Sequence, residues 1–112
     1  MPKVTQPKIP THSSKDPYIL RVLELSTAHI THADSDLLSK SGDLPFTCYD
    51  LEYGSLLYCG EPEEAGREHD IAQAGFSAAF LLMVRMAWKH GCAWIRLDCD
   101  SFVYTDLPTF KW

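Results

Sequence analysis

The sequence predicts an α+β fold: an antiparallel β-sheet packed on one face by two helices, in the order β-α-β-β-α-β-β. Three observations carry that prediction. From Asp70 to His90 nearly every helical turn is apolar on most sides, and Gly91 follows at once. Beyond it Ala93, Ile95, Leu97 and Cys99 alternate with Trp94, Arg96 and Asp98, which is the period of a strand. Earlier in the chain lie three more short apolar stretches bounded by turn residues.

The elements follow in order. Residues 1–17 hold four prolines and three lysines and few large apolar side chains, so they read as a flexible, mildly basic tail ahead of a single domain at 18–112. Tyr18 to Leu25 is apolar and β-branched and reads as a largely buried strand. Ser26 to Ile30 connects it to a short helix from His32 to about Lys40. Thr31 is its N-cap, Asp34 sits in the capping-box position, and Gly42 is the stop. Pro45 blocks further helix. Phe46–Glu52 and Ser55–Cys59 are two strands around a turn or bulge at Tyr53-Gly54. The glutamate-rich stretch from Gly60 to Glu68 is a surface loop.

In the Asp70–His90 segment the polar positions Asp70, Gln73, Ser77, Arg85 and Lys89 fall on one narrow stripe, with Leu81 on it too. Such a helix needs cover on most of its circumference, from the sheet, the first helix and a further neighbour, for which a second copy of the chain is one candidate. Gly91 supplies the left-handed residue that ends it. After the strand at 93–99, Asp100-Ser101 makes a tight turn and Phe102-Val103-Tyr104 returns as a partner strand until Pro108 ends the ladder. The apolar terminus Trp112 is expected to dock.

Composition narrows the function. A net charge of −5 argues against general affinity for phosphate backbones, so nucleic acid is not the expected partner. The longest apolar run, Phe76 to Met86, is too short for a bilayer, which needs about 20 residues. Cys48, Cys59, Cys92 and Cys99 form no C-x-x-C pair, and no apolar signal segment precedes them. They read as reduced structural thiols of a cytoplasmic protein without a metal or cofactor.

The string Gly91-Cys92-Ala93-Trp94-Ile95-Arg96-Leu97-Asp98, followed by Asp100, Leu107-Pro108-Thr109-Phe110 and Trp112, resembles the C-terminal signature of a family of small uncharacterised bacterial proteins. Ser26 to Thr31 resembles that family's N-terminal signature. The resemblance spans roughly Leu20 to Trp112. It departs at Asp100-Ser101, where family members tend to carry Asp-Gly. It implies no activity, but it does imply a setting on plasmids, integrative elements and phages of proteobacteria.

Four constellations could carry chemistry. Asp98 and Asp100, two apart on a strand, could hold a hard cation, although Asp also flanks turns for local hydrogen bonds. His29, with His32 nearby, could ligate metal or act as a general base; more often such a residue ties down a strand-to-helix turn. Ser26, Thr27 or Cys59 could act as a nucleophile, without any local motif in support. The aromatics, many for a small domain, could form an interaction surface, with Leu81, Arg85, Trp88, Trp94 and Trp112 as its candidates. The expected function is therefore a non-enzymatic protein-interaction module, with a homodimer plausible and inhibition of a host defence system as one specific form. The alternative is a small metal-dependent hydrolase or nuclease using His29, Asp98 and Asp100.

Overall fold

A computed structural model describes residues 19–40, 44–61 and 66–112. The expected tail at 1–17 and the Gly42 stop lie outside them. The described elements are β1 (Val22–Ser26), a single 3-10 turn (Thr27–His29), α1 (His32–Ser39), β2 (Thr47–Leu51), β3 (Gly54–Tyr58), α2 (Arg67–Gln73), α3 (Ala78–Lys89) and β4 (Trp94–Asp98). The fold is α+β, as the sequence predicts.

The sheet is mixed where an antiparallel one was expected. Its order is β1-β4-β3-β2, with β1 parallel to β4 and the other two pairings antiparallel. Only β2 and β3 are joined by a tight connection, which forces them antiparallel. Everything from α1 to α3 lies between β1 and β4, more than enough chain for the crossover that a parallel pair requires.

This arrangement also removes the expected last strand. β4 is central, with β1 on one side and β3 on the other, so its backbone has no free side for Phe102–Tyr104. The turn does form, with Ser101 N–H donating to Asp98 O at 3.1 Å. The chain then passes beside the end of β1, where Ser26 N–H donates to Phe102 O at 2.7 Å, and continues as an irregular strap.

The long apolar helix is two helices. Gly75 sits at φ 102° between α2 and α3, a conformation that excludes ordinary side chains, and it turns the chain inside what reads as one apolar run. Ser77 is thus not on an exposed stripe. It is the N-cap of α3, its hydroxyl accepting from Phe80 N–H. The exposed stripe of α3 runs instead through Ala78, Leu82, Arg85 and Lys89. The Gly91 stop is present as expected: Gly91 N–H donates to Trp88 O and Cys92 N–H to Ala87 O, the paired bonds of a Schellman ending.

The capping box at Thr31 is complete. Thr31 Oγ1 accepts from Asp34 N–H, and Asp34 Oδ2 accepts from Thr31 N–H. The buried Asp34 carboxylate also accepts from Ser77 N–H at 2.9 Å and Ser77 Oγ–H at 2.6 Å, which ties the start of α1 to the start of α3. One face of the sheet, carrying Leu25, Leu57, Ile95 and Leu97, packs on Phe80, Met83, Val84 and Ala87 of α3 with Ile30, Leu38 and Ile71 beside them. α3 therefore gets most of its cover from within the chain. Its exposed stripe carries Leu82 alone among large apolar groups.

Candidate functional site

Side chains alternate across a strand, so the registers fix which residues share the other face of the sheet. Val22 lies opposite Trp94, Glu24 opposite Arg96, Leu56 between Arg96 and Tyr49, and Tyr58 between Trp94 and Thr47. None of these residues packs in the hydrophobic core. Among the described residues no helix covers this face, and Tyr49 and Val22 are 53% and 46% exposed.

The face is aromatic at its centre. The Trp94 ring lies 5.1 Å from Tyr58, tilted by 56°, and 6.4 Å from Tyr49, stacked at 18°. Leu56 and Val22 extend the apolar surface on either side. Along the β1 end runs a charged row. Arg96 Nη1 meets Glu24 Oε2 at 3.1 Å and Arg96 Nη2 meets Asp98 Oδ2 at 3.1 Å. Two carboxylates share one guanidinium, so the row is acidic on balance. Ser101 Oγ–H donates to Glu24, and Asp98 Oδ1 accepts from Asp100 N–H, which holds both acids in place. The result is an aromatic, aliphatic platform with an acidic margin.

The residues singled out in the sequence do not form one patch. Leu81, Arg85 and Trp88 lie on α3, across the sheet from the platform. Leu81 is half-buried against the core. Arg85 grips Glu68 Oε1 with Nε and Nη2 at 3.1 and 2.7 Å, holding the Glu68 carboxyl below its ordinary range. Trp88 Nε1–H donates to Gly60 O at 3.0 Å. Trp112 is docked through Nε1–H to Ile30 O and lies 5.4 Å from the His32 ring, although much of it stays exposed. Trp94 alone of the five is on the open face. Leu56, Tyr58 and Val22 join it from outside that set, and Tyr49 from among the other aromatics. Their signal was in the alternation: Trp94 shares parity with Arg96, and the hairpin register then puts Tyr58 and Leu56 beside them.

His29 is buried, and both its ring nitrogens are used. Tyr104 N–H donates to Nε2 at 2.8 Å, so Nε2 carries no hydrogen, and Nδ1–H donates to Pro108 O at 2.9 Å. With Phe110 N–H on Ala28 O and Leu107 buried, these bonds strap the C-terminal segment across the 3-10 turn. Both ring nitrogens are thus engaged in holding the strap. Asp98, Cys99 and Asp100 do bring their ligand atoms within 4.8 Å of one another at the end of β4. Both oxygens of Asp98 already accept hydrogen bonds there. Cys99 is an exposed thiol, pushed up by desolvation and by the Asp100 and Asp98 charges.

Among the described residues no helix is long and apolar enough to cross a membrane. Residues 22–112 match the family model described as the C-terminal domain of a family of unknown function, DUF5983, and the chain belongs to that family. No curated protein and no solved structure matches the chain.

Proposed function

We propose that this chain is a non-enzymatic protein-interaction module that docks its partner on the open face of the sheet. The observation that carries the reading is the Tyr49–Trp94–Tyr58 cluster, extended by Leu56 and Val22, on a face that no described element covers. Aromatic groups at the centre of a patch with a polar margin are the usual anatomy of an interface. The acidic margin and the net charge of −5 favour a partner with an apolar centre and a basic rim. Two copies of this chain would each bring a net charge of −5, so a different protein fits better than a homodimer.

The setting implied by the C-terminal signature, a mobile element or phage in a bacterial cytoplasm, makes a host protein the natural partner class. Inhibition of a host defence system is one specific form, and it rests on that setting by analogy.

The test is a tagged pull-down from the native host with mass spectrometry, run in parallel with Tyr49→Ser and Leu56→Glu variants whose circular dichroism matches the wild type. The expected result is a partner captured by the wild type and lost with both variants, then reconstituted from purified proteins with a Kd that weakens as salt rises. Truncating one hot-spot residue of this kind weakens binding by about 30-fold or more. A partner retained undiminished by both variants, or no specific partner at all, would sink the reading. Light scattering across a concentration series checks the homodimer: a mass that doubles with concentration, abolished by Tyr49→Ser, would give the face to a second copy.

A further inference from the structure

β2 is an edge strand, and among the described residues no strand pairs with its outer edge. The pairing decides which of its backbone groups face outward. Cys59 N–H donates to Ala93 O and Cys99 N–H donates to Tyr53 O, so along β3 the odd-numbered residues turn their backbone to β4. Gly54, Leu56 and Tyr58 turn theirs to β2, where they meet Leu51, Tyr49 and Thr47. Cys48 and Asp50 are left with N–H and C=O directed away from the sheet, at the spacing of one more strand. The opposite edge differs, since β1 already has Phe102 O on the N–H of Ser26. Edge strands are ordinarily blunted by lysine, proline or a bulge. Thr47–Leu51 holds none of these, and it pairs with β3 without interruption.

A socket lies beside that edge. It is an open hollow of about 230 Å³ whose lining includes Leu38, Leu44, Phe46 and Cys48, all buried or half-buried, with the exposed Lys40 and Asp50 as its rim. Among the described residues β2 is the only strand that lines it, so it sits at the margin of the sheet and not over its centre. A small-molecule site offers about 300 Å³ or more, whereas this space suits one large side chain. A strand added beside β2 would alternate like any other. Its side chains opposite Tyr49 would extend the aromatic platform, and those opposite Cys48 or Asp50 would turn to the helix-bearing side, where the hollow is. A second copy of β2, paired antiparallel, would bring its own Cys48 and Asp50 to that side. A small thiol and a carboxylate are a poor match for an apolar floor.

We propose that the partner binds by strand addition: an extended segment of it pairs with the peptide groups of Cys48 and Asp50 as a further strand and seats one large aliphatic or aromatic side chain in the hollow. Main-chain bonds then supply affinity, and the socket supplies selectivity. Strand addition rests on the open face being a docking surface, which shares Tyr49 with this edge, and adds the form that the partner presents.

The test uses the full chain and, as probe, a phage-displayed library of random linear peptides. Selection should enrich a family with one large apolar residue among alternating β-formers. Bound to the nitrogen-15-labelled chain, a synthetic peptide of that family should slow hydrogen exchange at the Cys48 and Asp50 amides by about tenfold or more, whereas the Tyr49 and Leu51 amides are protected already in the free chain. N-methylation of the peptide at alternate residues should weaken it by about tenfold or more, and at the residues between should leave its Kd unchanged. Leu44→Glu, with an unchanged circular dichroism spectrum, should weaken the same peptide. Three outcomes overturn the proposal: no enriched family, a bound peptide that leaves both amides exchanging as in the free chain, or equal tolerance of N-methylation at every position. Protection of the two amides that grows with concentration of the chain alone would give the edge to a second copy and overturn it as well. A host partner lost with Leu56→Glu while selected peptides bypass β2 keeps the docking face and removes strand addition. A host pull-down without a partner removes the docking face itself, whatever the peptides do.

Discussion

Replacing Asp34 with alanine should cost the fold about 3–5 kcal/mol, out of a total that for domains of this size is about 5–15 kcal/mol. The carboxylate is buried and accepts from Thr31 N–H at 3.1 Å, Ser77 N–H at 2.9 Å and Ser77 Oγ–H at 2.6 Å. A hydrogen bond to a charged group contributes about 1.5–3 kcal/mol, and each buried donor left without an acceptor costs about 1–3 kcal/mol. The terms overlap, so their sum is an upper bound and the lower figures are the working range. Ser77→Ala removes one of the three bonds and the cap on Phe80 N–H, and should cost about 1–2 kcal/mol. Because the two side chains bond to each other, the double variant should lose less than the sum of the singles, with a coupling of about 1 kcal/mol or more. Urea unfolding followed by circular dichroism and tryptophan fluorescence measures all four corners of the cycle. A loss below about 1 kcal/mol for Asp34→Ala, or strictly additive singles, would refute the claim that this carboxylate joins α1 to α3.

Two further outcomes follow from the same structure. Gly54→Ala places a Cβ 1.7 Å from Leu97 O, where backbone and not a flexible side chain must move, so the β3–β4 pairing should loosen at a cost of about 3 kcal/mol or more, read by urea unfolding. Burial pushes the Cys59 thiol up to about 12 from 9.0. The unfolded chain thus releases this proton first, so stability is full below about pH 9 and falls as pH rises toward 12. Cys59→Ala should abolish that part of the alkaline decline, whatever its own cost at neutral pH, and iodoacetamide should alkylate Cys99 in the folded protein while leaving Cys59 untouched until it unfolds.

The sequence is legible wherever one residue type at one spacing decides the structure. The Thr31–Asp34 capping box, the α1 limits and the Gly91 ending are of that kind. Strand pairing is not local, and there the expected antiparallel sheet and the observed mixed sheet part. Nothing in residues 22–26 says that their partner is 94–98 and not a nearer strand, and the missing return strand at 102–104 follows entirely from β4 being central. Gly75 does carry a signal, since a glycine inside an apolar helical pattern raises the question of a break. The apolar residues around it mask that signal, because apolar periodicity runs on through a sharp turn when both helices face one core. The same averaging puts Ser77 and Leu81 on the exposed stripe, where Ala78 and Leu82 stand. The aromatic platform was legible only in pieces, because parity along one strand becomes a surface only after the register joins it to the next.

The exposed ring cluster must still be weighed against an ordinary structural role. Cross-strand aromatic pairs stabilise sheets by about 0.2–1 kcal/mol each, so Tyr58 against Trp94 could be accounted for by folding alone. Tyr49 cannot be accounted for in that way as readily. It lies on an edge strand, more than half of it faces water, and its ring stands 6.4 Å from Trp94, at the long end of useful contact. A half-solvated antiparallel sheet is ordinarily polar on its outer face, and apolar side chains there promote association. The two roles separate in one measurement. A purely structural cluster predicts that Tyr49→Ser lowers stability by up to about 1 kcal/mol and changes nothing else, whereas a docking surface predicts a small stability change with a loss of partner binding about 30-fold or greater. Stability nearly unchanged and binding lost is the outcome that the position of Tyr49 at the sheet's edge calls for.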